Sequence, residues 1–285
     1  MTIKLLFYVI IILLLILVLL IIGVCFSIFL RHIRSKRLLK LKLVIYTLMG
    51  KFFKNPTLDI SYNMKLMLEK EIKSKLKFHY VIKHLIDVHS VIQIPVQQQP
   101  LSIIKTLKID KRIEKELKSS KSFKLAQALR YSYKLGIVNH INHFKKNVDS
   151  SKLTVRREAQ VGLVVFLGWD SLILFNKVTH PISLWQIIQV LDVLETHPRP
   201  SSFVLLERIL ESNNDDIVCL AIHCATRFGV NTIQNKIFKH EKHTNEKVVT
   251  LVKAYYNFIR THEIPVILPL NKPIPLTKVN SNGTI

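Results

Sequence analysis

The chain has 285 residues, with 42 Lys+Arg against 19 Asp+Glu and a formal charge of +23, yet 49% of it is hydrophobic and its mean hydropathy is +0.26. One homogeneous soluble domain would not usually combine the two, so the charge and the apolar residues belong to different segments. Seven glycines and ten prolines exclude a collagen-like or Gly-rich disordered chain, and three cysteines exclude a disulfide scaffold.

After a short flank, residues 1–4, the whole stretch from Leu5 to Leu30 is without a charge. At a rise of ~1.5 Å per residue this exceeds the ~30 Å hydrocarbon core, which predicts a transmembrane helix over residues 5–30. A cleaved signal peptide would have a shorter apolar region ending in small residues, whereas here Phe26, Ile28, Phe29 and Leu30 run directly into Arg31. Arg31, Arg34, Lys36, Arg37, Lys40 and Lys42 follow, against Lys4 alone on the other side. Positive-inside bias therefore predicts a single-pass protein of the cytoplasmic (inner) membrane, N-terminus outside and the remaining chain in the cytoplasm. A reducing compartment suits the cysteines: Cys219 and Cys224 read as small buried hydrophobes on a helix.

Residues 31–130 hold 23 basic and 7 acidic residues, so most of the charge is membrane-proximal. The six basic residues from Arg31 to Lys42 are candidate contacts for anionic lipid, each worth about 1 kcal/mol when close to the surface. The bland reading is a solvated surface produced by a Lys-rich composition. Over residues 31–54, Leu38, Leu39, Leu41, Leu43, Val44, Leu48 and Phe52 predict a basic juxtamembrane helix, either interfacial or a continuation of the anchor. Asn55-Pro56 ends it. Within a helical region spanning 55–103, residues 62–91 carry a helical apolar face through Leu68, Ile72, Leu76, Val81, Leu85 and Ile86. Residues 93–100, with Pro95 and Pro100, form a connecting loop.

From residue 104 to 261 the chain repeats with a period of about 31 residues. Lys124, Val155, Gln186, Ile217 and Val248 form a reference column. Four positions later stand Ala128, Ala159, Val190, Ala221 and Val252; eleven positions earlier stand Ile113, Phe144, Phe175, Leu206 and Ile237. Eleven positions after the reference, Leu135, Phe166, Phe228 and Ile259 are apolar and His197 is the exception. Each unit reads as two helices. The joints before the second helices, Asp149-Ser150-Ser151, Thr179-His180-Pro181, Asn213-Asn214-Asp215 and Thr244-Asn245, are suited to N-caps. A single pair cannot bury its own apolar face, so about five units must stack. In the tail, residues 262–285, Pro265, Pro269, Pro273 and Pro275 forbid another helix and favour an extended course.

At these residues the chain resembles the HEAT-repeat family, and within it the short repeats of phycobilisome-lyase type. The carrying motifs are Val155-Arg156-Arg157-Glu158-Ala159-Gln160-Val161-Gly162-Leu163 and Ile217-Val218-Cys219-Leu220-Ala221-Ile222-His223-Cys224-Ala225. Gln186 and Lys124 occupy the usual Val position, and only the first motif has Arg beside it, so the Asp/Arg ladder of regular arrays is not expected. The anchor, the basic region, Leu184-Trp185-Gln186 and Leu210-Glu211-Ser212-Asn213 further resemble single-pass HEAT proteins of Bacteroidetes encoded near membrane glycosyltransferases. That resemblance implies a partner class rather than a reaction.

Motif-borne chemistry is thin. The sequence lacks a Gly-rich phosphate loop, a Gly-x-Ser-x-Gly elbow and a His-Glu-x-x-His helix. His140 with His143, His240 with His243, and Cys219 with His223 have the spacing of paired ligands on a helix, but no third and fourth ligands accompany them. Trp169 and Trp185 offer a stacking platform, though packing within their unit is the simpler reading. Asp215-Asp216 complements a helix N-terminus.

The expectation is thus an all-α protein: one transmembrane helix, then a cytoplasmic α-solenoid acting as a scaffold for a protein partner, with no cofactor, no metal and no catalysis. Arg156, Arg157, Glu158 and Trp185 are the candidate partner-binding residues, taken as exposed. A nucleic-acid-binding helical-repeat protein is the alternative, disfavoured because the charge sits near the membrane. An enzyme of unrecognised lyase or hydrolase type is the third reading.

Overall fold

The computed structural model describes residues 2–54, 62–92 and 101–261, and all regular structure among them is helical. The expectations for residues 55–61, 93–100 and 262–285 lie outside the described residues. The chain divides into two compact units, residues 1–140 and 141–285.

In the first unit, α1 is one uninterrupted helix, Thr2–Lys54, about 80 Å long at the standard rise. The basic stretch is thus a continuation of the apolar one. The side chains described between Phe7 and Leu30 are exposed and apolar except for Gly23, Cys25 and Ser27, whereas Leu41, Ile45, Leu48 and Met49 are buried. These four recur at helical spacing and bury the face of α1 that packs on α3, Lys75–Ile92. One N-terminal helix is therefore long and apolar enough to cross a membrane. Of the six basic candidates, Arg31, Lys36 and Lys40 are exposed and Lys42 is half-buried; the side chains of Arg34 and Arg37 lie outside the described residues.

The single helix expected over residues 62–91 is two, α2 (Tyr62–Ile72) and α3. They part at Lys73-Ser74, where the Ser74 carbonyl accepts from the Phe78 amide at 2.9 Å and starts the second helix. The periodic apolar pattern runs across this break because both helices bury toward the same core, Leu68 and Ile72 from one and Phe78, Val81, Ile82 and Leu85 from the other. Arg112, on α5 (Ile109–Leu117), covers the Phe78 ring and donates to the Ile72 carbonyl. With α4 (Leu101–Thr106) and α6 (Ser122–Lys134) it completes the unit, which ends in a 3-10 turn, Val138–His140.

Among the described residues, the second unit contains four first helices, α7 (Ile141–Asn147), α9 (Leu172–Phe175), α11 (Val204–Leu210) and α13 (Gln234–Phe238). They alternate with four longer ones: α8 (Leu153–Leu167), α10 (Leu184–Glu195), α12 (Asp215–Phe228) and α14 (Glu246–Thr261). The long helices pack in sequence, α8 on α10 on α12 on α14, and α9, α11 and α13 pack in sequence behind them. Counting α6, the long helices begin at Ser122, Leu153, Leu184, Asp215 and Glu246, evenly spaced at the period of the sequence repeat. The columns at −11 and +4 are buried in all five pairs, each residue no more than 2% exposed. The −11 residue presents a large side chain from the first helix, and the small or β-branched +4 residue lets the second helix approach it.

Hydrogen bonds between successive joints hold the register. Asp149 accepts from the Thr179 hydroxyl at 2.6 Å and from the His180 amide at 3.1 Å. Asn214 caps α12 by accepting from the Asp216 amide at 3.0 Å, while its amide nitrogen donates to the carbonyls of Val178 and His180. Asn245 repeats the device one unit later, accepting from the Lys247 amide and donating to Asp215. For α10 the cap is Ser183, not the Thr179-His180-Pro181 stretch expected to supply it. Asn214→Ala removes a cap and two inter-joint bonds together and is expected to cost about 2 kcal/mol in denaturant unfolding. Asn245→Ala is expected to cost about half of that.

Candidate interaction groove

Because the long helices begin in register, their first turns and middle turns line up across the layer and leave a groove of about 890 Å³. Leu153 and Leu184, the first residues of α8 and α10, are 51% and 43% exposed and form one apolar edge. Ile182 and Ile187 continue it, Leu251 of α14 faces from the other side, and Cys219 and His223 of α12 lie between them. By area the lining is mainly apolar. Pro181, Arg156, Asp216, Ser183, Glu246, Lys247 and Thr250 complete the lining.

Arg156 is the one partner-binding candidate that lines this groove, and it is not exposed as expected: only 5% of it is accessible. Its guanidinium donates to the Ser150 carbonyl at 2.6 Å and to the Pro181 carbonyl at 3.3 Å, tying the joint before α8 to the joint before α10. Asp216 is likewise committed, accepting from the Ile182 amide at 2.9 Å. Both charges are structural. In place of an Asp/Arg ladder, Arg156 and Asp216 each hold backbone groups of a neighbouring joint. Arg157 and Glu158 are half-buried on α8 outside the groove lining. Trp185 adjoins Leu184 and is 59% exposed, so the core reading of this residue is overturned. Trp169 takes that role, its ring set edge-on against Phe203 and Phe228 at centroid distances of 5.6 and 4.8 Å.

The groove's ionisable floor is held neutral. Burial pushes the Cys219 thiol up to about 11 and the His223 imidazole down to about 4, so at neutral pH they form a thiol and an uncharged ring. The other candidate ligands disperse. His140 is buried with its Nδ1 2.9 Å from the Ser132 hydroxyl oxygen, which donates its own proton to the Ala128 carbonyl. His243 accepts at Nδ1 from the Asn245 amide and faces Asp215 at 3.7 Å. Among the described residues, no three His, Cys, Asp or Glu side chains converge as metal ligands.

Leu153, Leu184, Leu251 and His223 were missed as site residues by the sequence reading. A signal existed: the column two positions before the reference reads Ser122, Leu153, Leu184, Asp215, Glu246, so two leucines stand where the other repeats open the long helix with a polar side chain. Comparison of the chain with protein-family models, with curated proteins and with solved structures finds no match.

Proposed function

We propose that the protein is a single-pass membrane adaptor, its helix pairs forming a HEAT-like α-solenoid whose groove holds a protein partner at the cytoplasmic face. The observation that carries this reading is the groove itself: an open surface, mainly apolar by area, whose Arg156 and Asp216 are occupied by the backbone and whose Cys219 and His223 are neutral. Such a surface binds by burial and shape. The alternative in which nucleic acid is the partner receives no support from it, since the lining carries two acids against two bases and Arg156 is sequestered. Residues 31–54 continue the apolar helix without a break, and the positive flank argues for the cytoplasmic side. Confinement to the membrane raises the effective concentration of the adaptor near other membrane proteins. Membrane glycosyltransferases or a polysaccharide-synthesis system are the partner class we favour.

A photo-crosslinking amino acid at Leu184 in the full chain, expressed in its native membrane, is expected to capture a defined membrane-protein partner. The same probe at Ile173 on the opposite layer, 44% exposed, provides the comparison. Equal capture from both positions, or none from Leu184, would overturn the adaptor reading.

A further inference from the structure

We propose that the groove is occupied in cis by the chain's own proline-rich tail, residues 264–279, which a partner must displace. This rests on reading the groove as a recognition surface. The tail follows Thr261, the last residue of α14, and α14 is itself a wall of the groove through Glu246, Lys247, Thr250 and Leu251. It therefore starts on the helix that bounds its binding site. Returning along α14 and crossing to α10 covers roughly 45 Å, given ~1.5 Å of rise per helical residue and ~10 Å between helix axes. About fifteen residues of polyproline-like chain, at ~3.1 Å each, span that distance.

The chemistry matches as well as the reach. Ile264, Val266, Ile267, Leu268, Leu270, Ile274 and Leu276 alternate with Pro265, Pro269, Pro273 and Pro275. Each proline removes a backbone donor, so an extended segment of this composition enters an aliphatic groove with fewer amides to desolvate. Leu153 and Leu184 gain the cover that their exposure otherwise lacks.

The test reads protection of one position. In the full chain carrying Cys25→Ser, held in detergent micelles, a cysteine replaces Leu184 or, as the matched control, Ile173; the two native side chains are 43% and 44% exposed. Maleimide labelling is followed with and without the tail, the second form ending at Glu263. A tail tethered at mM effective concentration, binding with a dissociation constant on the order of 100 μM, slows labelling at Leu184→Cys about tenfold and leaves Ile173→Cys unchanged. In the full-length chain, Leu268→Asp with Leu270→Asp should restore fast labelling, while Asn280→Asp should not. Equal rates at Leu184→Cys with and without the tail overturn the proposal, and so does protection that disappears on dilution, which belongs to the tail of a second copy. Protection at Leu184→Cys together with no partner capture from Leu184 would leave the tail in place and remove the adaptor reading; capture without protection does the reverse.

Discussion

Gly162→Val is expected to destabilise the second unit by about 3 kcal/mol and to lower its melting temperature by roughly 10 °C. Gly162 lies in the middle of α8, where glycine is a poor choice: propensity alone makes alanine about 1 kcal/mol better. Its presence is explained by the Phe144 ring of α7, which occupies the space a Cβ would need. That ring is fully buried, locked edge-on against Phe166 with centroids 5.3 Å apart, and cannot swing aside without disturbing the pair of helices it joins. Even Gly162→Ala should therefore destabilise, reversing the sign expected from propensity. Gly50, on α1, provides the contrast, since nothing lies within 4 Å of a Cβ built there. Gly50→Ala is expected to be neutral or to stabilise by up to about 1 kcal/mol. Circular-dichroism melting of the full chain in micelles separates the two. Combining Gly162→Val with Phe144→Leu should recover at least about 1 kcal/mol of the summed loss, because the smaller side chain vacates the contested space. Strictly additive losses would show that the close approach of α7 and α8 is not what fixes glycine at this position.

The same close approach explains which parts of the architecture the sequence discloses. The −11 and +4 columns are legible because a helix pair can meet only if one position stays large and another stays small, and the constant step of the repeat renews that demand in every pair. Other features depend on neighbours that no periodic pattern names. Arg156 reads as a surface residue because Arg is seldom buried, yet here two carbonyls from successive joints converge on one guanidinium. Gln186 stands where the other second-unit repeats have Val or Ile and reads as a departure; it is fully buried and donates to Gln160, which donates to the Val148 carbonyl at 2.8 Å. The first helices shrink to four residues in α9 and five in α13, lengths at which an apolar period has nothing to repeat. The groove was hidden for a related reason. Its edge is a column, but only two of its five members are leucine, and exposure of an apolar residue is a property of the assembled layer.

Acidification from pH 6.5 to 4 is expected to remove about 3 kcal/mol of stability through His223 alone. His223 is 4% exposed, and burial pushes its pKa from 6.5 down to about 4. The folded state therefore refuses a proton that the unfolded chain accepts throughout this window. More protons bound by the unfolded state means that stability rises with pH, so the contribution is complete above pH 6.5 and is lost as pH falls toward 4. Asp149 acts in a separate range. Its bonds from Thr179 and His180 hold its pKa at about 2 against an ordinary 3.8, so its contribution is present above pH 3.8 and is lost only as pH falls from there toward 2. Urea midpoints measured at intervals from pH 7 to 3 should show a decline above pH 4 that His223→Leu flattens and Asp149→Asn leaves in place. An unchanged decline in His223→Leu would place the acid-sensitive group elsewhere. The position of His223 links this slope to the groove. A ring that gains charge there, on the helix between the apolar walls, disfavours an aliphatic occupant by the same desolvation that disfavours the proton. Protection of Leu184→Cys by the tail should therefore weaken below pH 5 in the native chain and persist to lower pH in His223→Leu.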